Sequence, residues 1–122
     1  MKRIILALAV ISCTAIVNAQ TREESEKLRT EVETNLVGNI LPFWLDNAAD
    51  PDGGFHGAIG VDGKAIEGAE RGTLMTARIL WTFARAYRQY GLEEYRNMAD
   101  YAAENLINNC IDKKYGGMFW TI

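Results

Sequence analysis

The chain is poor in the residues that build covalent or metal-centred frameworks. Its 122 residues include two cysteines, one histidine and two prolines. Two cysteines can form one disulfide at most, and none if only one of them remains in the mature protein. No spacing typical of zinc ligands, a calcium loop, a phosphate-binding loop or a serine triad occurs. The formal net charge of −3 provides no basic surface for nucleic acid. These absences exclude several classes of binding site, and we expect neither a metal ion nor another cofactor.

The longest apolar run lies at the start of the chain and predicts a signal peptide over residues 1–19. A short basic start, Met1-Lys2-Arg3, precedes mostly apolar residues from Ile4 to Val17, and Val17-Asn18-Ala19 resembles a signal-peptidase site. The run is too short for a comfortable membrane span, and the polar residues 21–24 follow it without a stop-transfer pattern. We therefore expect an exported protein, periplasmic or secreted, with no membrane span.

A second interpretation of the same segment makes the protein a lipoprotein. Val10-Ile11-Ser12-Cys13 loosely fits a bacterial lipoprotein cleavage box, in which Cys13 would carry the lipid anchor. The apolar run continues past Cys13, which argues against this interpretation. If Cys13 is removed with the signal peptide, Cys110 is the one cysteine left, and its place on an apolar helical stripe predicts a small core residue.

Apolar spacing predicts three helices in residues 20–122. The first should run from near Glu23 to Trp44, with Pro42 bending or ending it, and the second from about Gly72 to Tyr90. A third should follow and reach Cys110. Turn-forming residues 50–54 and 61–64 flank a short apolar segment, which predicts a β-hairpin between the first two helices.

A short motif occurs twice along the chain. Gly53-Gly54-Phe55 and Gly116-Gly117-Met118 both follow an acidic turn, and the two glycine pairs are 63 residues apart. Such a period accommodates one glycine hairpin and two helices, and it is typical of stacked helix pairs that bury their apolar faces against neighbours. The last residues, Thr121 and Ile122, suggest a strand without a partner. The pattern predicts the first arc of a helical toroid from a longer, truncated protein.

Arg78 is the one charged residue in the apolar stretch 73–84, and a helix with this sequence should be buried on most sides. Its guanidinium stays charged and requires partners, so it is either a member of a structural ion pair or the anchor of a polar site. A third alternative is a solvated face, because Arg71, Arg78 and Arg85 recur every seven residues along one helical stripe. Trp81, by contrast, is expected to pack in the core.

Five segments carry a family resemblance. They are Asn39-Ile40-Leu41-Pro42-Phe43-Trp44, Gly53-Gly54-Phe55, Ala77-Arg78-Ile79-Leu80-Trp81, Asn108-Asn109-Cys110-Ile111-Asp112 and Tyr115-Gly116-Gly117. In this order and spacing they resemble the N-terminal quarter to third of cellobiose 2-epimerases, which belong to the N-acylglucosamine 2-epimerase family. The resemblance implies an all-α fold, an (α/α)6 barrel, of which residues 20–122 would form the N-terminal arc with short β-hairpins.

The resemblance also implies a reaction and a site. Members of this family invert C2 of a reducing-end sugar, commonly within a β-1,4-linked disaccharide, without a redox cofactor. Two histidines move the C2 proton, and Arg78 matches the family's catalytic arginine beside the sugar carbonyl. Trp120 is a candidate for stacking on the sugar, and His56 for contacting it at the rim, although the family more often has an aromatic at that position. Because His56 is the only histidine, the catalytic bases are expected outside this chain, and the fragment alone should be inactive.

Three functions of different classes remain open from the residues. The first is a sugar 2-epimerase whose partner is a small oligosaccharide. The second keeps the helical toroid but makes it a glycoside hydrolase or polysaccharide lyase. The third is a non-catalytic helical-repeat module that binds glycans or proteins through Trp120 and the hairpin rim.

Overall fold

The computed structural model describes residues 21–122, so the predicted signal peptide and Cys13 lie outside the described residues. Over this range the backbone forms helices and tight turns, and its β-pairing consists of isolated bridges. The chain divides between Leu41 and Pro42 into two compact units.

Helix α1 begins the described chain. Residues 21–35 are α-helical, and the π-helical segment Leu36–Ile40 and the α-helical segment Leu41–Asn47 follow without a break. Exposed ion pairs between residues four apart, such as Arg22 with Glu26, line the first part of α1, as expected for a solvated acidic face.

Pro42 does not end α1, so of the two predicted alternatives, a bend or an end of the helix, the end is not observed. The N–H of Leu41 bonds to the carbonyl of Leu36, five residues back rather than four, in the turn directly before Pro42. Proline has no N–H to donate to the helix, and a π-helical turn changes the hydrogen-bond register at this place. The chain can therefore pass Pro42 and continue as a helix to Asn47.

Two tight reversals follow α1. In the first glycine hairpin, defined as residues 48–56, Ala49 bridges Phe55, and the N–H of Asp50 donates to the carbonyl of Gly54 over 3.0 Å. Gly53 and Gly54 have φ angles of 111° and 76°, which only glycine adopts readily. A smaller reversal pairs Ile59 with Ala65, so the predicted hairpin exists as a single bridge.

Helices α2 and α3 form the core of the second unit. Helix α2 spans Thr73–Tyr90 and ends at Gly91, which has a left-handed φ of 70° and donates its N–H to the carbonyl of Tyr87. Helix α3 spans Glu93–Asn105, and the π-helical segment Leu106–Cys110 extends it. The predicted positions of both helices are confirmed.

One face of α2 packs against α3 and buries the apolar residues of both. Phe83 and Tyr95 lie with ring centroids 5.9 Å apart and are 1% and 2% exposed. Burial raises the pKa of Tyr95, and the nearby charge of Glu94 raises it further, so the phenol stays neutral near pH 7. The free thiol of Cys110 is fully buried, which confirms the core position expected for it.

The second glycine hairpin, defined as residues 110–119, repeats the first. Asp112 donates its N–H to the carbonyl of Gly117, and Phe119 donates to the carbonyl of Cys110, as Asp50 and His56 do in the first hairpin. The bridge pairs Ile111 with Met118. The turn is one residue longer than in the first hairpin, and the 63-residue repeat is confirmed as a repeat of backbone geometry.

Thr121 has a pairing partner, contrary to the prediction. It bridges Gly72, the residue directly before α2, and Arg71 and Ile122 exchange backbone hydrogen bonds of 3.3 and 3.0 Å. The sequence could not indicate this pair, because the two segments are about fifty residues apart and each is too short to show the periodicity of a strand. The segment directly after the second glycine hairpin is therefore joined to the start of α2.

Candidate functional site

Arg78 lies on the exposed face of α2, so the expectation that it would be buried on most sides is wrong for the described chain. Thr76, Ile79 and Phe83 occupy the opposite face and are buried. Within residues 21–122, Arg78 has no carboxylate partner, and the structural ion pair considered from the sequence is not formed there.

Trp81 is also exposed, at 68%, so its predicted core position is wrong for these residues. Leu74 lies on the same face of α2 and is half exposed. The reason is geometric: one packed neighbour, α3, covers only one side of α2, whereas apolar residues occur on both sides. The exposed face carries an arginine and aromatic and aliphatic side chains together.

Trp120 lies just beyond the second glycine hairpin and is 80% exposed. Its carbonyl oxygen accepts the N–H of Thr73 over 3.1 Å. Gly72, at the N-cap of α2, has no side chain to satisfy the first amides of the helix, so this carbonyl takes part of that role. The hydrogen bond fixes the backbone of Trp120 to the N-terminal end of the helix that carries Arg78.

Thr73 lies five residues before Arg78, which is about 7.5 Å along the helix axis at a rise of about 1.5 Å per residue. The structure thus brings Trp120 and Arg78 to the same end of α2. An exposed indole and an exposed guanidinium are the two kinds of group that stack on a sugar ring and bind its oxygens.

His56 lies in the first glycine hairpin and is not freely exposed. Its side chain is 21% exposed, and its Nδ1 lies 3.4 Å from Oδ2 of Asp50. The local role considered for His56, a loop histidine with a nearby polar partner, agrees with this position. Its ring also lines a cavity of about 320 Å³, so contact with a small ligand at this place stays a prediction.

Asp50 and Arg71 form a polar cluster with His56 that sequence reasoning missed. Arg71 is ion-paired with Asp50 and donates a second hydrogen bond of 2.6 Å to the carbonyl of Gly53. The side chain of Asp50 is only 10% exposed. In the sequence, Asp50 belongs to a run of turn formers and Arg71 to a stripe of arginines. Their charges are complementary, but nothing in the sequence shows that the two residues meet.

The cavity beside this cluster is mostly polar and is bounded by the segment 65–71. Its lining comprises Asp50, Asp52, His56, Gly57, Ala65, Ile66, Glu67, Gly68, Ala69 and Arg71. With this lining, the cavity can offer hydrogen bonds and charge to a polar molecule.

Over residues 21–122, no group of three or more histidine, cysteine, aspartate or glutamate side chains is arranged to hold a metal ion.

Tyr101 fixes the first glycine hairpin to α3. Its hydroxyl accepts the N–H of Gly54 over 2.7 Å and donates to the carbonyl of the same residue over 3.1 Å. Its ring meets Phe55 edge-on, with centroids 5.4 Å apart. A Cβ atom at Gly54 would stand 3.0 Å from Oδ1 of Asn105, so the hairpin approaches α3 as closely as a glycine allows.

None of the helices in residues 21–122 is long and apolar enough to cross a membrane. The candidate site residues lie in three places: Arg78 on the exposed face of α2, Trp120 at the N-terminal end of that helix, and a polar cluster at the first glycine hairpin.

Comparisons with known proteins identify relatives of this arrangement. The chain is 39% identical over 98 residues to the cellobiose 2-epimerase of Bacteroides fragilis and 36% identical over 91 residues to that of Ruminococcus albus. These alignments cover 80% and 75% of this chain. Among solved structures, the cellobiose 2-epimerase of Spirochaeta thermophila superposes with a TM-score of 0.73 at 36% identity and covers 80% of this chain.

The chain spans about a quarter of the length of these relatives, namely 25% of the first, 23% of the second and 24% of the solved structure. The likeness confirms the fold class, an all-α fold of the (α/α)6-barrel type, represented here by a partial set of helices. The model of the N-acylglucosamine 2-epimerase family matches residues 53–122, which include α2, α3, the second glycine hairpin and the last four residues of the first. The chain therefore belongs to the N-acylglucosamine 2-epimerase family, an epimerase family of the isomerases.

Proposed function

We propose that the protein is a carbohydrate 2-epimerase that acts on the reducing-end sugar of a β-1,4-linked disaccharide of the cellobiose or mannobiose type. The observation that carries the proposal is Arg78, which is exposed and makes no ion pair within residues 21–122, on the helix to whose N-terminal end the backbone of Trp120 is bonded. Membership of an epimerase family supports the reaction type, and relatives named cellobiose 2-epimerase support the substrate class.

The proposed reaction exchanges one proton and leaves the oxidation state of the sugar unchanged. After the ring opens, a base removes the proton from C2, and the electron pair of the C–H bond moves into a C1–C2 double bond while the carbonyl oxygen becomes an enediolate oxygen. A second group, which acts as an acid, donates a proton to the opposite face of C2, and the aldehyde forms again. No redox cofactor is needed.

Arg78 would stabilise the negative charge that develops on the sugar oxygen. A C2 proton becomes acidic only if this charge is stabilised, and a fixed guanidinium provides that stabilisation without reorganising. Its planar fork can donate two parallel hydrogen bonds to neighbouring oxygens of the enediolate. Trp120 would hold the sugar by stacking on the apolar face of the ring.

The bases that move the proton are proposed to come from residues outside this chain. Imidazole suits two-sided proton transfer near neutral pH, but His56 is the only histidine among the 122 residues. Its Nδ1 is directed toward Asp50, so we assign it contact at the rim of the sugar site and not proton transfer.

Isotope exchange tests the proposal directly. When the full-length gene product that carries this chain is incubated with cellobiose in D2O, we expect the epimeric product to contain deuterium at C2, because the returned proton exchanges with solvent. Proton nuclear magnetic resonance of the sugar would measure the loss of the C2 signal. A preparation without enzyme is the control for spontaneous exchange.

The same experiment separates the other two functions. A hydrolase would release monosaccharides, and a lyase would give an unsaturated sugar. A binding module would shift the sugar resonances without making a product. Any of these outcomes, without deuterium at C2, would disprove the epimerase proposal.

Export across the cytoplasmic membrane is part of the proposal. It rests on the basic start, the apolar run and the cleavage-like segment Val17-Asn18-Ala19, which lie outside the described residues. Mass spectrometry of the protein purified from its native host is expected to find an N-terminus at Gln20. An acylated N-terminal Cys13 would replace this by the lipoprotein alternative, and an intact Met1-Lys2-Arg3 start would contradict export by either route.

A further inference from the structure

We propose that Arg71 is a positioning residue of the sugar site: it links the first glycine hairpin to the segment that follows the second, and it thereby sets where Trp120 and α2 stand. Arg71 is the residue two positions before α2. It contacts the first hairpin through its side chain and Ile122, just beyond the second hairpin, through its backbone. The inference rests on the proposed function for its effect on turnover, whereas the link itself can be tested separately.

The side chain of Arg71 holds the first glycine hairpin at two points. One part of the guanidinium pairs with the carboxylate of Asp50, and Nη1 donates to the carbonyl of Gly53 over 2.6 Å. Asp50 and Gly53 enclose the turn of that hairpin, in which the N–H of Gly53 donates to the carbonyl of Asp50 over 2.9 Å. A planar guanidinium can serve both acceptors at once, which a lysine ammonium on a single stem does less well.

The backbone of Arg71 holds the segment after the second glycine hairpin. Its N–H donates to the carbonyl of Ile122 over 3.3 Å, and its carbonyl accepts the N–H of Ile122 over 3.0 Å. Two residues on, Thr73 donates to the carbonyl of Trp120. The pairing fixes Trp120 immediately beside the start of α2, so a movement of Arg71 would move Trp120 with it.

The burial of Asp50 makes its ion pair with Arg71 important for stability. Its carboxylate is 90% buried, with Oδ1 accepting the N–H of Asp52 over 2.9 Å and Oδ2 facing both Arg71 and His56. A buried carboxylate that loses its cationic partner is costly, so the hairpin and the start of α2 are expected to stay together while Arg71 is present. Arg71 itself is 37% exposed and reaches the cavity beside the hairpin.

Arg71 is not proposed to touch the reacting atoms. Its effect on the reaction is indirect, because a sugar held about 1 Å out of place reacts up to about a hundredfold more slowly. The shape of the pH profile of kcat should therefore remain that of the unchanged enzyme, since no proton-transfer group is altered. A loss of kcat/KM with an unchanged pH profile distinguishes positioning from a role in proton transfer.

The test compares Arg71→Met and Arg71→Lys in the full-length gene product. For Arg71→Met we expect the backbone amides at positions 71 and 122 to exchange with deuterium about tenfold faster and kcat/KM for cellobiose to fall about tenfold or more. Amides in the middle of α3 should keep their protection. Arg71→Lys retains the charge and should recover part of both losses.

Arg96→Met is the matched control. Arg96 also faces two carboxylates, Glu93 and Asp100, but both lie on its own helix and all three are exposed. This variant should leave exchange at positions 71 and 122 and kcat/KM unchanged. A double-mutant cycle with Asp50→Ala completes the design, because the two changes should not add if they break the same link.

Unchanged exchange and unchanged kcat/KM in Arg71→Met would overturn the proposal. Faster exchange with unchanged kcat/KM would overturn its role in the reaction. If α3 also loses protection in Arg71→Met, that variant has unfolded more widely, and Arg71→Lys becomes the deciding variant. Amide exchange and kcat/KM both equal to those of the unchanged protein in Arg71→Lys would then overturn the proposal, because the two-point contact of the guanidinium would not be needed. If the unchanged protein produces no C2-labelled sugar, the proposed function fails, and exchange at positions 71 and 122 then decides the structural link alone.

Discussion

Replacing Arg78 by lysine is expected to lower kcat for epimerisation by about a hundredfold or more, the range observed when one donor to a developing oxyanion is removed. Lysine keeps the positive charge but loses the planar fork that can bind two oxygens of the enediolate together. Because Arg78 is exposed and has no carboxylate partner within residues 21–122, its replacement should change the free energy of unfolding by less than about 0.5 kcal/mol.

The measurement is kcat, KM and C2 deuterium incorporation in the full-length gene product, together with its thermal unfolding. Arg85→Lys is the control, since Arg85 is another exposed arginine on α2, two turns further along the helix. It should behave as the unchanged enzyme. Near-normal turnover of Arg78→Lys would contradict the role assigned to Arg78, and a loss explained by unfolding would show that Arg78 is structural.

Replacing Gly57 by alanine is expected to lower the free energy of unfolding more than any other glycine-to-alanine change near the first hairpin. A Cβ atom there would overlap the carbonyl oxygens of Ala69 and Glu70 and stand 2.7 Å from the carbonyl carbon of Ala69. These are backbone atoms that cannot rotate away, so the segment before Arg71 must shift. Overpacking of this kind costs about 1–3 kcal/mol of the free energy of unfolding.

Gly72→Ala provides the matched control, because a Cβ atom at Gly72 meets nothing within 4 Å and its φ of −79° suits alanine. Chemical unfolding of both variants in the full-length gene product would measure the difference. Gly57→Ala should also speed amide exchange at position 71, whereas Gly72→Ala should not. Equal stability of the two variants would show that the close approach at Gly57 is relieved without cost.

Local signals in the sequence were sufficient for α2, α3 and the two glycine hairpins. A left-handed glycine such as Gly91 ends a helix by its own backbone freedom. Apolar spacing predicted α3, in which Tyr95, Met98 and Ala102 are buried. The paired glycine motifs predicted two similar turns, and both have the same pattern of backbone hydrogen bonds. The family resemblance rests on these same segments.

Contacts between distant residues could not be predicted in this way. Gly72 pairs with Thr121, and Arg71 with Asp50, through segments too short to carry a periodic signal. The exposure of Arg78 and Trp81 was predicted wrongly for a related reason: apolar composition indicates that a helix can be covered, but the packed neighbours decide which sides are covered.

Helices α2 and α3, the turn positions, the repeat and the arginine in an apolar stretch could thus be predicted from local sequence, because each depends on residues within a few turns of one another. Packing of the helices was needed to show that Trp120 is fixed at the start of the helix that carries Arg78, and that Arg71 joins the first hairpin to the segment after the second. These arrangements depend on hydrogen bonds and ion pairs across long stretches of chain, whose partners are selected when the helices pack.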